Sequence, residues 1–504
     1  MNRRGGGRAA GTWPAGGWAA SILILAAAVR FWRLDLFSLG FDEAMSLRRA
    51  MEPTLAAVWR ATFVEVPVYN ALLHGWLGLG RSPAVARALS SALSVAALGV
   101  GWFMLRRLLA PAPALAALAL FAFSPFQVQY AQEARPYMLM LLAEFAAVLG
   151  LFRAADRGRT ADWGVWAAGC AVAALSHLVA LAWIAASAVF VWLIGAGASR
   201  RRDLARVAGW GALAAAPALI FAATDARSIA RVNETAPQAF GVPDFLLGID
   251  NFFGPGAWVP APLVVPSLAV FGFLMLTGLF LCATPARPDP AARRLRAAVL
   301  AFGLVPPLLV LLGSWAGIVY RPKPRYAMGA QLFLLAACAR VLWVPPWPAV
   351  RALGLGALLA LDAASLAKYF GGGFPTLDLP PCKKPFHAVA ADLVARARPG
   401  DGVLSVGFQT YLPLDWYLAG RMAHGYILRD PMVSDEELRT IGFPVDLRGF
   451  VRAHRRVWVV CAPVYYAAPL DLPGDVLRAL RRFAVPREDE TRPGIRITRW
   501  EALP

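Results

Sequence analysis

The chain has 504 residues, 59% of them hydrophobic and only 16% charged, with a mean hydropathy of +0.54 and a formal net charge of +19. A soluble domain is about one-quarter charged, so these values point to a membrane protein and away from a soluble globular one. The cations fall in short clusters between apolar runs, the pattern of cytoplasmic loops rather than of a nucleic-acid-binding surface.

The N-terminal stretch MNRRGGGRAAGTWPAGG leads into an apolar run with no small-residue cleavage site behind it, which predicts an uncleaved first transmembrane helix. Eleven runs long enough to cross about 30 Å of hydrocarbon as helix lie at about 15–34, 84–105, 112–130, 137–154, 162–177, 178–197, 206–223, 261–283, 297–319, 326–343 and 349–368. The fifth and sixth form one long run, divided at Ser176-His177 because a single helix of that length overshoots the bilayer. Arg3, Arg4 and Arg8, Arg106 and Arg107, Arg153, Arg157 and Arg159, Arg200, Arg201 and Arg202, and Arg293, Arg294 and Arg296 all fall on one side if the N-terminus is cytoplasmic. The first loop, the Gln132-Glu133-Ala134-Arg135 turn, His177, the 224–260 loop and the Arg321–Arg325 segment then share the outer face. Everything after about 370 lies there too.

Within the first loop, residues 48–66 read as a helix lying in the membrane interface, started by Pro53, or as an ordinary loop. After GGGFP (371–375) the composition changes. A helix over 385–398, a strand at VLSVGF (403–408), a Ser434/Glu437 capping box, a buried strand at VWVVCAP (457–463), a helix over 475–483 and a last strand near 496–500 predict a small α/β domain. The expected division is therefore a transmembrane domain over 1–370 and an extracytoplasmic α/β domain over 371–504. Cys382 and Cys461 are the only cysteines of the second domain and are able to pair in an oxidising compartment. Cys170, Cys282 and Cys338 read as core thiols.

The outer face collects Asp42, Glu43, Glu65, Tyr69, His74, Glu133, Arg135, His177, Arg321, Lys323, Arg325 and Tyr326. Ionisable groups at membrane depth cost a few kcal/mol unless paired or hydrated, which makes them candidates for function. Plainer readings stand beside each: a solvated loop for Asp42 and Glu43, a local surface pair for Glu133 and Arg135, hydrogen-bonded interior histidines for His74 and His177. YRPKPRY (320–326) breaks the local rule most sharply, with three cations on a face normally poor in them. Pro322 and Pro324 favour extended backbone, and an anionic headgroup is the natural partner for Arg321, Lys323 and Arg325. Carboxylates on one outer loop and cations on another suit group transfer from a lipid phosphate. A carboxylate takes the proton of an attacking hydroxyl or amine, and cations stabilise the departing phosphate. A transporter or lipid flippase is the rival reading, but no paired halves with matching broken helices stand out; a non-catalytic scaffold is a third.

The segments VRFWRLDLFSLGFDEAMSL (29–47), VPVYNALLHGWL (66–77), SPFQVQYAQEARPYMLMLL (124–142), LSHLVAL (175–181) and KPRYAMGAQLFLL (323–335) resemble, in order, bacterial glycosyltransferase family 39 proteins. These belong to the GT-C superfamily, with the protein O-mannosyltransferases and the lipid A aminoarabinose transferase. The resemblance implies an α-helical polytopic membrane protein of about eleven transmembrane helices with a small C-terminal α/β domain. It implies an inverting transferase using a polyprenyl-phosphate sugar at the outer face of the inner membrane, with a protein, lipid A or another glycan as acceptor. Asp42 matches the first-loop acid, as base or acceptor organiser, and Glu43 completes the pair. Glu133 and Arg135 match the second-loop segment. Arg325 and Tyr326, with Arg321 and Lys323 beside them, match the donor-phosphate segment. Tyr69, His74 and His177 are candidates for the substrate pocket. No cofactor is implied with certainty; some relatives bind a divalent cation at their acids. A His-Pro-Pro-Leu-Tyr-like stretch common in the family reads Glu65-Val66-Pro67-Val68-Tyr69 here.

Overall fold

In the computed structural model, residues 15–61, 67–224, 258–283, 290–316, 318–319, 323–372, 384–427, 444–462 and 473–503 are described. Glu65, Arg321, Cys382 and the Ser434/Glu437 pair lie outside them, as does the question of a Cys382–Cys461 bridge.

Every apolar run predicted to span the membrane is helical. They are α1 (Ala15–Phe31), α5 (Pro83–Leu108), α6 (Pro111–Phe123) with α7 (Pro125–Ala131), α8 (Tyr137–Arg157), α9 (Thr160–Ala174), α10 (Ala182–Ile194), α11 (Gly197–Thr224), α12 (Val264–Ala283), α13 (Pro290–Ala298) running into α14 (Val305–Trp315), α15 (Ala330–Leu342) and α16 (Pro348–Phe370). Among the described residues, six of these spans are long and apolar enough to cross a bilayer, or seven if the bent α6–α7 pair counts as one. α8 and α9 pack through small residues, as helices without a hydrophobic drive between them must. A Cβ on Gly169 would sit 2.8 Å from the Ala143 carbonyl and Ala147, and one on Gly150 2.8 Å from the Trp166 nitrogen.

The predicted helix over 112–130 is broken by 53° between α6 and α7. Pro125 begins the second piece and brings no N–H to the ladder. The Ala122 carbonyl just before the break accepts a 2.8 Å hydrogen bond from the guanidinium of Arg30, a buried α1 residue that also donates to Ser94. At the far end of the bundle Asp156 accepts from Arg107 (2.6 Å) and from Arg294. Three of the basic clusters predicted to share one side therefore meet there.

The first loop departs from expectation. Asp42 and Glu43 sit in the first turn of α2 (Phe41–Ala50), a helix with two acids at its start and Arg48 and Arg49 at its end, charges that complement the helix dipole. Glu43 reaches back to the Gly40 N–H (3.1 Å) and so caps its own helix. Of the interfacial helix expected over 48–66, residues 48–50 belong to α2 and Leu55–Ala61 form α3, which buries Val58 and Ala61 and exposes Leu55 and Trp59; residues 62–66 lie outside the described residues. α4 (Val68–Trp76) follows.

The C-terminal part is a five-stranded sheet of order β2-β1-β3-β5-β4, with β1 (Gly402–Ser405), β2 (Ala423–Tyr426), β3 (Arg456–Cys461), β4 (Ala484–Arg492) and β5 (Ile495–Ala502). β1 pairs in parallel with β2 and β3; β5 runs antiparallel to β3 and β4. Strand residues alternate between two cores. Val403, Trp458 and Val460 face α17 (Phe386–Arg396) and α18 (Phe408–Leu418), whereas Leu404, Val457 and Val459 face α19 (Leu447–Ala453) and α20 (Gly474–Arg481).

In β1 and β2, Ser405 Oγ lies 2.9 Å from His424 Nε2, and His424 Nδ1 lies 3.1 Å from Asp415 on α18. The carboxylate requires a proton on Nδ1, so Nε2 accepts from the serine hydroxyl. Ser405 is completely buried, which makes this set a lock between sheet and helix rather than an open nucleophile. Burial pushes His424 below its ordinary value, against the opposing pull of Asp415. A histidine held low in the folded state stabilises it fully above the unfolded value of about 6.5, and that contribution is lost as pH falls below it. The thermal midpoint of the α/β part should therefore decline below about pH 6.5, and the decline should flatten in His424→Gln; an equally steep acid limb in that variant would assign the effect elsewhere.

Candidate active site

α2 presents its two acids to different surroundings because neighbouring residues on a helix point about 100° apart. Glu43 turns inward. Its two oxygens take a bidentate pair from Arg87 on α5 (Nε and Nη2, both 2.8 Å), the Ala134 N–H (3.0 Å) and the Gly40 N–H. Arg87 spends its remaining donors on the carbonyls of Leu34, Phe37 and Ser38. Both side chains are buried, so charge is matched and each polar atom named has a partner.

Asp42 turns outward and is half-exposed, at 47%. Its Oδ2 lies 3.6 Å from Arg325 Nη2, an ion pair longer than a hydrogen bond. Its backbone carbonyl accepts from Arg135 (3.0 Å) and from Ser46, whose hydroxyl also receives Arg135 (3.0 Å). Desolvation works to raise the Asp42 pKa, but Arg135, Arg325, Lys323 and Arg49 outweigh it and hold the carboxyl at about 2. It is ionised at neutral pH and, with these cations facing it, a weak base.

Arg325 stands on the short turn Pro324–Ala327. Its guanidinium lies over Tyr137 at 5.1 Å and Tyr326 at 5.9 Å, within cation–π range. His177 stacks between the same rings, 6.0 Å from Tyr137 and 4.9 Å from Tyr326, and Tyr130 meets Tyr137 edge-on. His177 Nδ1 accepts the Val179 N–H at 3.4 Å. Glu133 is half-buried and receives Gln129 Nε2 at 3.4 Å; Gln129 in turn accepts the Trp258 indole N–H at 2.7 Å.

The structure thus brings Asp42, Arg135, Arg325, Tyr326 and His177 together, with Lys323 close enough for Asp42 to feel its charge. It places Tyr69 and His74 behind the site. The Tyr69 hydroxyl meets Ser90 (3.0 Å), which donates to the Arg135 carbonyl, and His74 bonds the Ala50 carbonyl at the end of α2 (2.9 Å). Sequence reasoning missed Arg87, Tyr130 and Tyr137. Arg87 carried a signal, as a lone cation near the start of a long apolar run; the tyrosines did not stand out among so many aromatic residues. The donor set does not fit a divalent cation at the acid pair. Asp42 faces four cations and the oxygens of Glu43 are occupied, and among the described residues no group of three or more His, Cys, Asp or Glu is placed to hold a metal.

Residues 65–224 match the family model described as dolichyl-phosphate-mannose-protein mannosyltransferase. No curated protein matches the chain. Among solved structures it is similar to ArnT from Cupriavidus metallidurans bound to undecaprenyl phosphate, at 15% identity and a TM-score of 0.55, over 97% of this chain and 98% of that one. It is also similar to the Archaeoglobus fulgidus oligosaccharyltransferase in complex with Zn and sulfate (12% identity, TM-score 0.50, 88% and 68% of the two chains). A third likeness is to the arabinofuranosyltransferase AftD from mycobacteria (17%, 0.50, 98% and 40%). The chain is a multi-pass membrane protein with the GT-C fold, as the sequence resemblance implied.

Proposed function

We propose that the chain is a glycosyltransferase that moves a sugar from a polyprenyl-phosphate donor to an envelope acceptor, a protein, lipid A or another glycan, at the outer face of the inner membrane, with inversion. The observation that carries this reading is the Asp42–Arg325 pair. Two segments far apart in the chain set a half-exposed carboxylate against a cation seated among aromatic rings. The family model and the fold support the same class. Arg325, with Lys323 and Arg321, receives the phosphate of the donor. As the phosphate neutralises these cations, the carboxylate of Asp42 is released from its pair and gains basicity. It then takes the proton of the acceptor hydroxyl or amine while that group attacks the anomeric carbon. The glycosidic C–O bond to phosphate breaks, and polyprenyl phosphate leaves with the bonding electrons, stabilised by Arg325. Arg135 fixes the Asp42 backbone, Tyr326 and His177 pack beside Arg325, and Glu43 acts by holding α2 on Arg87. Glu133 shapes the neighbouring wall.

The test is release of polyprenyl phosphate from labelled lipid-linked sugars by the purified protein. Release identifies a transferase; translocation without release identifies a flippase. Arg325→Ala should weaken donor binding about tenfold or more, as loss of a charge-assisted phosphate contact does, and an unchanged dependence of rate on donor concentration would remove Arg325 from the phosphate site.

A further inference from the structure

The residues just before Asp42 are held by the C-terminal α/β part. Leu39 is completely buried, and its N–H donates to the Tyr417 hydroxyl on α18 at 2.8 Å. Ser38 Oγ accepts the His387 N–H (3.0 Å) and lies 2.6 Å from His387 Nδ1 on α17. The His387 and Tyr417 rings meet edge-on at 6.1 Å. At the first residue of α2, Phe41 packs edge-on against Phe408 at 5.6 Å, and one turn further Ala44 and Met45 share a core cluster with Phe408, Leu412 and Tyr426. Gly40, the residue that starts α2, therefore lies directly after two tethered residues, and Asp42 is the second residue of that helix.

This grip has a direction. Arg87 of α5 and Arg135 of the turn before α8 hold α2 on one side; α17 and α18 hold its entry on the other. A buried backbone N–H needs a partner, so the hydroxyl of Tyr417 fixes where the chain enters the helix, and the entry point fixes which way Asp42 faces. Displacement of a reacting group by about 1 Å costs on the order of a hundredfold in rate.

We propose that Tyr417 and His387 are positioning residues of the active site, setting the start of α2 and through it the direction of the Asp42 carboxylate toward Arg325. The α/β part is then a component of the catalytic machinery rather than an appendage. The inference rests on the transferase reading of Asp42.

Tyr417→Phe removes one hydroxyl and keeps the ring. It should lower kcat about tenfold while polyprenyl-phosphate binding stays near that of the wild type and the thermal midpoint falls by no more than about a few degrees, the cost of one orphaned buried N–H. Ser38→Ala, which cuts the second tether, should act in the same direction. Hydrogen exchange over residues 38–47 should rise in both variants with the transmembrane helices unchanged, and this readout needs no turnover. An unchanged kcat with unchanged exchange overturns the proposal, as does a kcat that falls only in step with the midpoint and with binding. A wild-type protein that releases no polyprenyl phosphate overturns the transferase reading, while exchange over 38–47 still decides whether the tether exists.

Discussion

Asp42→Asn is expected to leave a folded, membrane-inserted protein that binds the donor phosphate more tightly than the wild type and transfers no measurable sugar. The two effects have one cause. The Asp42 carboxylate faces Arg325 at 3.6 Å and is held at a pKa of about 2 by Arg135, Arg325, Lys323 and Arg49. An incoming phosphate competes with it. Removing the charge removes the competitor. Opposite charges about 4 Å apart attract by roughly 1 kcal/mol in water and by more where one partner is largely buried, as Arg325 is, so affinity for polyprenyl phosphate should rise about fivefold or more. The amide cannot take the acceptor proton, and loss of a general base costs on the order of a hundredfold or more in kcat. Binding of polyprenyl phosphate, measured beside turnover of a labelled donor, checks both arms. Weaker binding in the variant would refute the competition; near-normal turnover would remove Asp42 from the chemistry.

Arg87→Leu should have the largest effect on stability. Glu43 and Arg87 are both buried and bonded through two parallel contacts. Removing the arginine strands a carboxylate that also caps α2 and receives Ala134. Breaking such a pair costs about 3–5 kcal/mol, whereas replacing both members with apolar groups of similar volume is often close to neutral. Arg87→Leu should therefore lower the thermal midpoint strongly and loosen α2, and Arg87→Leu combined with Glu43→Leu should recover much of the midpoint. The double variant should remain poorly active, because the Gly40 and Ala134 contacts that orient α2 are still lost. A double variant no more stable than the single would show that the pair's charge balance is not what the fold depends on.

Much of the helical part was legible because transmembrane helices write themselves as long apolar runs, and each predicted run is a helix. The break inside 112–130 has only Pro125 as its trace in the sequence; that Arg30 donates to the Ala122 carbonyl there depends on a contact between remote helices. β4 escaped because its residues, PREDETR among them, lack apolar alternation. It is an edge strand tied to β5 by its ladder and by ion pairs such as Arg496 with Asp489 and Arg499 with Glu488 rather than by a buried face. Charge against an apolar background singles out Asp42, Arg135 and Arg325, which the fold brings near one another. The separate orientations of Asp42 and Glu43 were not visible, since the helix that turns them apart was read as loop. Nor was the link from Ser38 and Leu39 to His387 and Tyr417, which depends on contact between remote parts of the chain and leaves no periodic trace.

Glu43 touches three stretches at once: its own loop, the fifth helix and the turn at Ala134. None of the three is free to drift without the other two. A transplant of residues 38–50 into another scaffold should therefore keep its shape only if a partner for the Glu43 carboxylate, the arginine at 87, travels with it.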